Sequence, residues 1–179
     1  MQAGGEHARM GTHNRLLRLG EKLYLEVIAA NPAVPHPGRP RWFQLDEPDS
    51  VRVPRLATWA VRCDDIRSAA AASQLPLGKI EAMNRETFEW LLTVPEDGKL
   101  GLHGLAPALI QWQTASHPAD TLKDRGCSLI RLEGFHAQPE KVTGVLKSIR
   151  FEGVFEVSAR ETPGLLAQIR TPSGPRQLR

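Results

Sequence analysis

The clearest alternation of apolar and polar positions runs from Leu23 to Ala29, where Leu23, Leu25, Val27 and Ala29 share one side and Tyr24, Glu26 and Ile28 the other. A period of two marks a strand. His13 to Leu19 reads as the strand before it, and the polar Gly20-Glu-Lys22 has the length of a hairpin turn. Pro32, Pro35, Pro37, Pro40, Pro48 and Pro54 then punctuate residues 31–54, which predicts an extended crossover. Trp42 and Phe43 inside it are expected to pack down onto a sheet, because two large rings are seldom left in water.

Thr58 to Cys63 predicts the next strand, and Asp64 is the expected N-cap of a helix carrying Ile66, Ala69, Ala70 and Ser73 on one face. Residues 78–95 read as one strand with an irregular start, Asp97-Gly98 as a turn, and Ala108 to Gln113 as a further strand. The order then recurs. Ser128 to Phe135 is a strand, and Pro139-Glu140 opens a helix whose Val142, Val145, Leu146 and Ile149 follow the spacing of a buried stripe. Phe155 to Ala159 and Leu165 to Arg170 are strands on either side of the Thr162-Pro-Gly164 turn.

Three segments look alike: Tyr24 to Pro32, Leu109 to Pro118 and Leu166 to Pro172. Each is a strand with one polar residue among apolar neighbours, stopped by a proline, and Glu26, Gln111 and Gln168 fall at comparable places. A strand and helix stand upstream of the second and third copies. Nothing comparable precedes the first, since Met1 to Gly11 is Gly-rich and too weakly patterned to supply them. The expected fold class is therefore α+β, built of repeated βαββ(β) modules. The divisions are a headless module with its crossover at 1–54, a second module at 55–126 and a third at 127–179, in one compact unit.

Composition narrows the function classes. A chain of 179 residues with 41% hydrophobic side chains has material for a core without staples. Cys63 and Cys127 lack CxxC spacing, so neither a disulfide framework nor a zinc knuckle is indicated. The first twenty residues hold no apolar run and no stretch has the length of a membrane span, which predicts a cytoplasmic protein without a membrane partner. The net charge of +3 comes partly from the tail residues Arg170, Arg176 and Arg179, and no basic cluster is interleaved with aromatics, so no nucleic-acid partner is expected. HExxH, GxSxG and phosphate-loop patterns are missing.

Gly11-Thr-His-Asn-Arg-Leu-Leu-Arg-Leu-Gly20 followed by Tyr24-Leu-Glu-Val-Ile-Ala29 resembles the opening half of the glyoxalase-like domain family. Arg85 with Trp90, Leu109-Ile-Gln-Trp112, His117-Pro118 and Thr171-Pro-Ser-Gly174 extend the likeness over most of the chain from about His7 onward. That family is similar to the vicinal-oxygen-chelate superfamily, and the resemblance implies modules folded into open, curved, mostly antiparallel sheets that cup a metal or small ligand. Family members usually open with a strand carrying an Asp-His pair and then a helix, which this sequence lacks. Two explanations follow. Either the start codon is assigned too far downstream, which Gly4-Gly-Glu-His7 favours by reading as mid-domain sequence, or the gene is truncated and a partner chain, as in a homodimer, covers the bare sheet edge.

The resemblance places Glu26 where the superfamily commonly puts a ligating carboxylate, which makes it the expected catalytic and metal-binding residue, with His13 as a second ligand of a divalent metal. Asn14, Tyr24, Trp112 and Gln111 are expected to line a small-molecule pocket, with His117 at its rim. Arg85 and Trp90 suit an anion, the guanidinium meeting a carboxylate and the indole walling the cavity. Blander roles stand beside these: an outward-facing charge for Glu26, backbone hydrogen bonding for Gln111, turn stabilisation for His117, and a surface ion pair of Arg85 with Glu86 or Glu89. The implied function is a metal-dependent enzyme of lyase, isomerase or dioxygenase type acting on a small oxygenated metabolite. The alternatives are a non-catalytic small-molecule sequestering protein of the bleomycin-resistance type, with Trp42, Trp59, Trp90 and Trp112 around its cavity, and an inactive truncated module.

Overall fold

The computed structural model describes residues 1–48 and 53–179. The stretch of the expected crossover at residues 49–52 lies outside the described residues. Among those described, eleven strands form three sheets.

The first sheet is an antiparallel meander of β1 (Gln2–His7), β2 (Thr12–Gly20) and β3 (Leu23–Ala30). β1 was not announced by the pattern of residues 1–11, and it joins the meander without replacing the missing strand and helix. Its Gly4-Gly5 pair carries no side chains to alternate, so periodicity cannot report it, while ladder pairing from Gln2 to His7 builds it. A one-turn 3-10 segment at Ala8–Met10 and Gly11, left-handed at φ 59°, return the chain into β2.

The second sheet runs β4 (Ala60–Arg62), α1 (Ile66–Ala72), β5 (Lys79–Arg85), β6 (Phe88–Val94) and β7 (Ala108–Trp112), ordered β4-β7-β6-β5 with β4 parallel to β7. Residues 79–94 are thus a tight hairpin, not the single strand expected, because Glu86 takes a left-handed φ of 53° between Arg85 and Phe88, which face each other. Asp65, not Asp64, caps α1, its carboxylate accepting from the Arg67 and Ser68 backbone amides at 3.1 and 3.0 Å. A short helix, α2 (Pro118–Thr121), follows β7 and was not signalled by periodicity, being a single turn.

The third sheet comprises β8 (Ser128–His136), α3 (Pro139–Ser148), β9 (Glu156–Ala159), β10 (Gly164–Arg170) and β11 (Arg176–Leu178), ordered β11-β10-β8-β9. Its element order matches the second unit but its pairing does not: β8 lies parallel to β9, the strand straight after its helix, whereas β4 lies parallel to β7, the last of its unit. The first sheet corresponds to β5, β6 and β7; counterparts of β4 and α1 are not among the described residues.

Each pair of sheets shares a core. Ile66, Leu105, Leu109, Val142, Leu146 and Leu165 bury the two longer helices between the second and third sheets. Leu17, Leu19 and Leu25 on one face of the first sheet meet Ala167 and Ile169 of the third. The opposite face of the first sheet turns toward the second across Met10, Trp42, Met83, Trp90 and Leu92, so Trp42 does leave the crossover for a sheet. This third interface is a cup, and its polar residues gather in one place. Among the described residues, no helix is long and apolar enough to cross a membrane.

Candidate ligand cup

Strand alternation decides which side chains enter the cup. On β2 the even positions Thr12, Asn14 and Leu16 are buried while His13 and Arg15 are exposed; Leu16 lies across from Glu26 on β3, and Asn14 across from Ile28. His7, at the end of β1, faces Thr12 across the ladder and is buried. Arg85 ends β5 and reaches across to β1.

Asn14 is the hub. Its Nδ2 donates to Glu26 Oε1 at 2.5 Å and lies 3.3 Å from His7 Nε2. Arg85 Nη1 stands 3.4 Å from the same His7 nitrogen and 3.5 Å from Asn14 Oδ1. Because a guanidinium only donates, His7 Nε2 must accept, which puts the imidazole proton on Nδ1. β1 makes this convergence sterically feasible: a Cβ at Gly4 would collide with Asn14 Oδ1, and one at Gly5 would lie 2.6 Å from Arg85 Cδ.

Aromatic rings line the rest of the cup in an unbroken chain. His7 meets Trp42 edge-on at 5.0 Å between centroids and Trp90 at 5.7 Å; Trp90 meets Trp112 at 5.5 Å, Trp112 meets His117 at 5.3 Å, and His117 meets Tyr24 at 5.6 Å. His117 also caps α2, with Nδ1 accepting the Ala119 amide at 3.2 Å while the Asp120 carboxylate accepts the His117 amide at 2.9 Å.

The electrostatics follow from burial. Desolvation first, and the Arg85 charge second, hold His7 down at about 4, so it is neutral at physiological pH. Glu26 is pushed up by burial, against the opposing pulls of the Asn14 bond and the Arg85 charge. Burial likewise raises the Tyr24 hydroxyl, with the Glu26 charge adding to the shift and Arg85 opposing it. Desolvation lowers His117. The cup therefore holds one permanent cation, a neutral His7 imidazole, a protonated phenol and a carboxyl group that burial shifts toward its protonated form.

The structure thus brings together Asn14, Tyr24, Glu26, Arg85, Trp90, Trp112 and His117 from the residues expected at the site. It leaves two apart. His13 is exposed on the opposite face of β2, so it does not meet Glu26 at a common ion. Gln111 points to the helix side of its sheet, where Oε1 accepts the Ile66 amide at 2.9 Å and ties α1 to β7. Two residues that neither periodicity nor resemblance singled out, His7 and Thr12, do line the cup; paired glycines just before a histidine were the available signal.

A divalent metal was expected here. Among the described residues, no three His, Cys, Asp or Glu side chains form a group that could hold one. His7 and Glu26 are the only two such side chains of the cluster around Asn14, and the guanidinium beside His7 repels a cation. The residues present do not fit the group.

Mostly antiparallel sheets carrying repeated strand–helix–strand units are consistent with a vicinal-oxygen-chelate-like fold. The chain belongs to the glyoxalase-like domain family, which it matches over residues 1–149. A hypothetical protein from Staphylococcus aureus, known from its crystal structure, shares the fold with a TM-score of 0.59 at 14% identity, over 91% of this chain and 78% of that one. No curated protein matches the chain.

Proposed function

We propose that this protein is an isomerase- or lyase-type enzyme that binds a small oxygenated metabolite in the cup and moves a proton beside its carbonyl group, with Glu26 as the base. The observation that supports this reading is the position of the Glu26 carboxyl, partly buried, oriented by Asn14 and within electrostatic reach of Tyr24 and Arg85. A carboxyl made more basic by burial is better suited to taking a proton from carbon and returning it. As the C–H bond breaks, its proton passes to Glu26 and its electron pair moves onto the carbonyl oxygen, where the Arg85 guanidinium and the Tyr24 hydroxyl stabilise the charge. Superfamily members often use a divalent metal for that stabilisation; this reading assigns no step to one.

Exchange of carbon-bound hydrogen for solvent deuterium in small α-hydroxy and α-keto carbonyl compounds, followed by proton NMR, tests the proposal. The wild-type chain is expected to catalyse exchange and Glu26→Gln to abolish it while the fold stays intact. Exchange that survives Glu26→Gln sinks the assignment. The continuous chain of rings from Trp42 to Tyr24 favours a second reading, a sequestering protein, and that reading takes over if compounds bind without exchange.

A further inference from the structure

Three buried side-chain polar atoms have no hydrogen-bond partner among the described residues: Thr12 Oγ1, Trp42 Nε1 and Arg85 Nε. All three residues adjoin His7. Thr12 is its cross-strand neighbour, the Trp42 ring lies 5.0 Å from its ring, and Arg85 Nη1 is 3.4 Å from its Nε2. Buried polar groups are normally satisfied, so three orphans beside one residue ask for a missing partner. The indole and guanidinium nitrogens only donate, and the threonine hydroxyl donates as readily as it accepts. What is missing is an acceptor.

Arg85 sharpens the chemistry. None of the ion pairs among the described residues involves it, not with Glu86 or Glu89 beside it in sequence nor with Glu26. Its Nη1 contacts to His7 and Asn14 are long, and its Nε and Nη2 make no hydrogen bond there. Nε and Nη2 form the side of the guanidinium that receives a carboxylate through two parallel bonds. A partly buried guanidinium without an ion-pair partner is costly, and a bound anion removes that cost.

We infer that the His7 end of the cup is a carboxylate-binding subsite, in which Arg85, with Trp42 Nε1 and Thr12 Oγ1, takes the part that a divalent metal plays in related cups. The ligand is a small organic acid, its carboxylate on Arg85 and its body against Trp90. This inference rests on the proposed function only in placing the ligand in the same cup.

The test is a titration of the full chain with pyruvate and with benzoate, each against its neutral amide, followed through the Arg85 Nε–H and Trp42 Nε1–H signals in 1H–15N spectra. Arg85→Lys and Trp42→Phe assign these signals. At least one acid is expected to move both, with the amide bound roughly tenfold more weakly or worse, as loss of a charge-assisted pair predicts. Binding should be equal in EDTA and in added zinc, and Arg85→Lys should weaken the acid while leaving the amide unchanged. The inference is overturned if neither acid moves the signals, if acid and amide bind alike, or if binding needs zinc. Should the acids bind as expected while Glu26→Gln makes no difference to deuterium exchange, the proton-transfer proposal falls and the subsite stands. Exchange that depends on Glu26 but shows no preference for acid over amide overturns the subsite and leaves the proton transfer standing.

Discussion

Asn14 Nδ2 donates to Glu26 Oε1 at 2.5 Å, and this bond is the principal support for the ionised form of a carboxyl that burial pushes toward its neutral form. Asn14→Leu keeps the size of the side chain and removes the donor. The Glu26 pKa is expected to rise further, read from carboxyl carbon shifts in a pH titration with Glu26→Gln for assignment. Leaving the ionised carboxylate without its partner should also cost on the order of 2 kcal/mol of stability, measured by urea unfolding.

His7 supplies a pH dependence of defined sign. Its folded pKa of about 4 lies below the unfolded value of 6.5, so between these two the unfolded chain holds the extra proton. Stability from this residue is therefore intact above pH 6.5 and is lost as the pH falls toward 4, by a total of about 3 kcal/mol. Glu26, raised in the fold, acts in the opposite sense: its contribution is present below the ordinary carboxylate pKa and is lost as the pH rises through the raised value. His7→Gln should flatten the acid limb of unfolding midpoint against pH between 6.5 and 4. An unchanged limb would mean that His7 does not stay neutral in the fold.

What the sequence disclosed and what it hid divide along physical lines. Strand β3 announced itself through alternation, and that alternation correctly placed Tyr24, Glu26 and Ile28 on one face. Matching Glu26 to Gln111 by their place in look-alike segments failed, because strand faces repeat every two residues and the matched segments are one residue out of phase. Ile110 and Trp112 face the cup, and Gln111 faces the helix. β1 was invisible for the reason that makes it useful: Gly4 and Gly5 have no side chains to reveal a face, and Asn14 and Arg85 occupy the space so left. Pairing order in the third sheet could not be read either, since β8 and β4 have similar local patterns and differ only in which distant strand they join.

The glycine pair leads to a prediction. At Gly5 φ is +144°, outside the range comfortable for other residues, and an added methyl would meet the Arg85 side chain at 2.6 Å. Gly5→Ala is expected to cost about 1–3 kcal/mol through backbone strain. It should also displace the guanidinium, which a shifted Arg85 Nε–H signal would report. Loss of stability with that signal unmoved would leave Gly5 a purely structural residue.

Gln111 allows the cup and its scaffold to be separated experimentally. Its side chain lies on the helix face of β7, and its Oε1 takes up the amide of Ile66, one of the first-turn donors that a helix cannot satisfy internally. Ile66 is fully buried against Leu109 and Val142, so the helix start depends on the Gln111 acceptor for its amide. Gln111→Leu is therefore expected to lower stability by about 1–2 kcal/mol and to raise hydrogen exchange in α1. Because Glu26 and Arg85 lie on the other side of the sheet, ligand-induced shifts at Arg85 Nε–H should be unaffected. If ligand binding fell with Gln111 while α1 kept its protection, the division between a cup face and a helix face would be wrong.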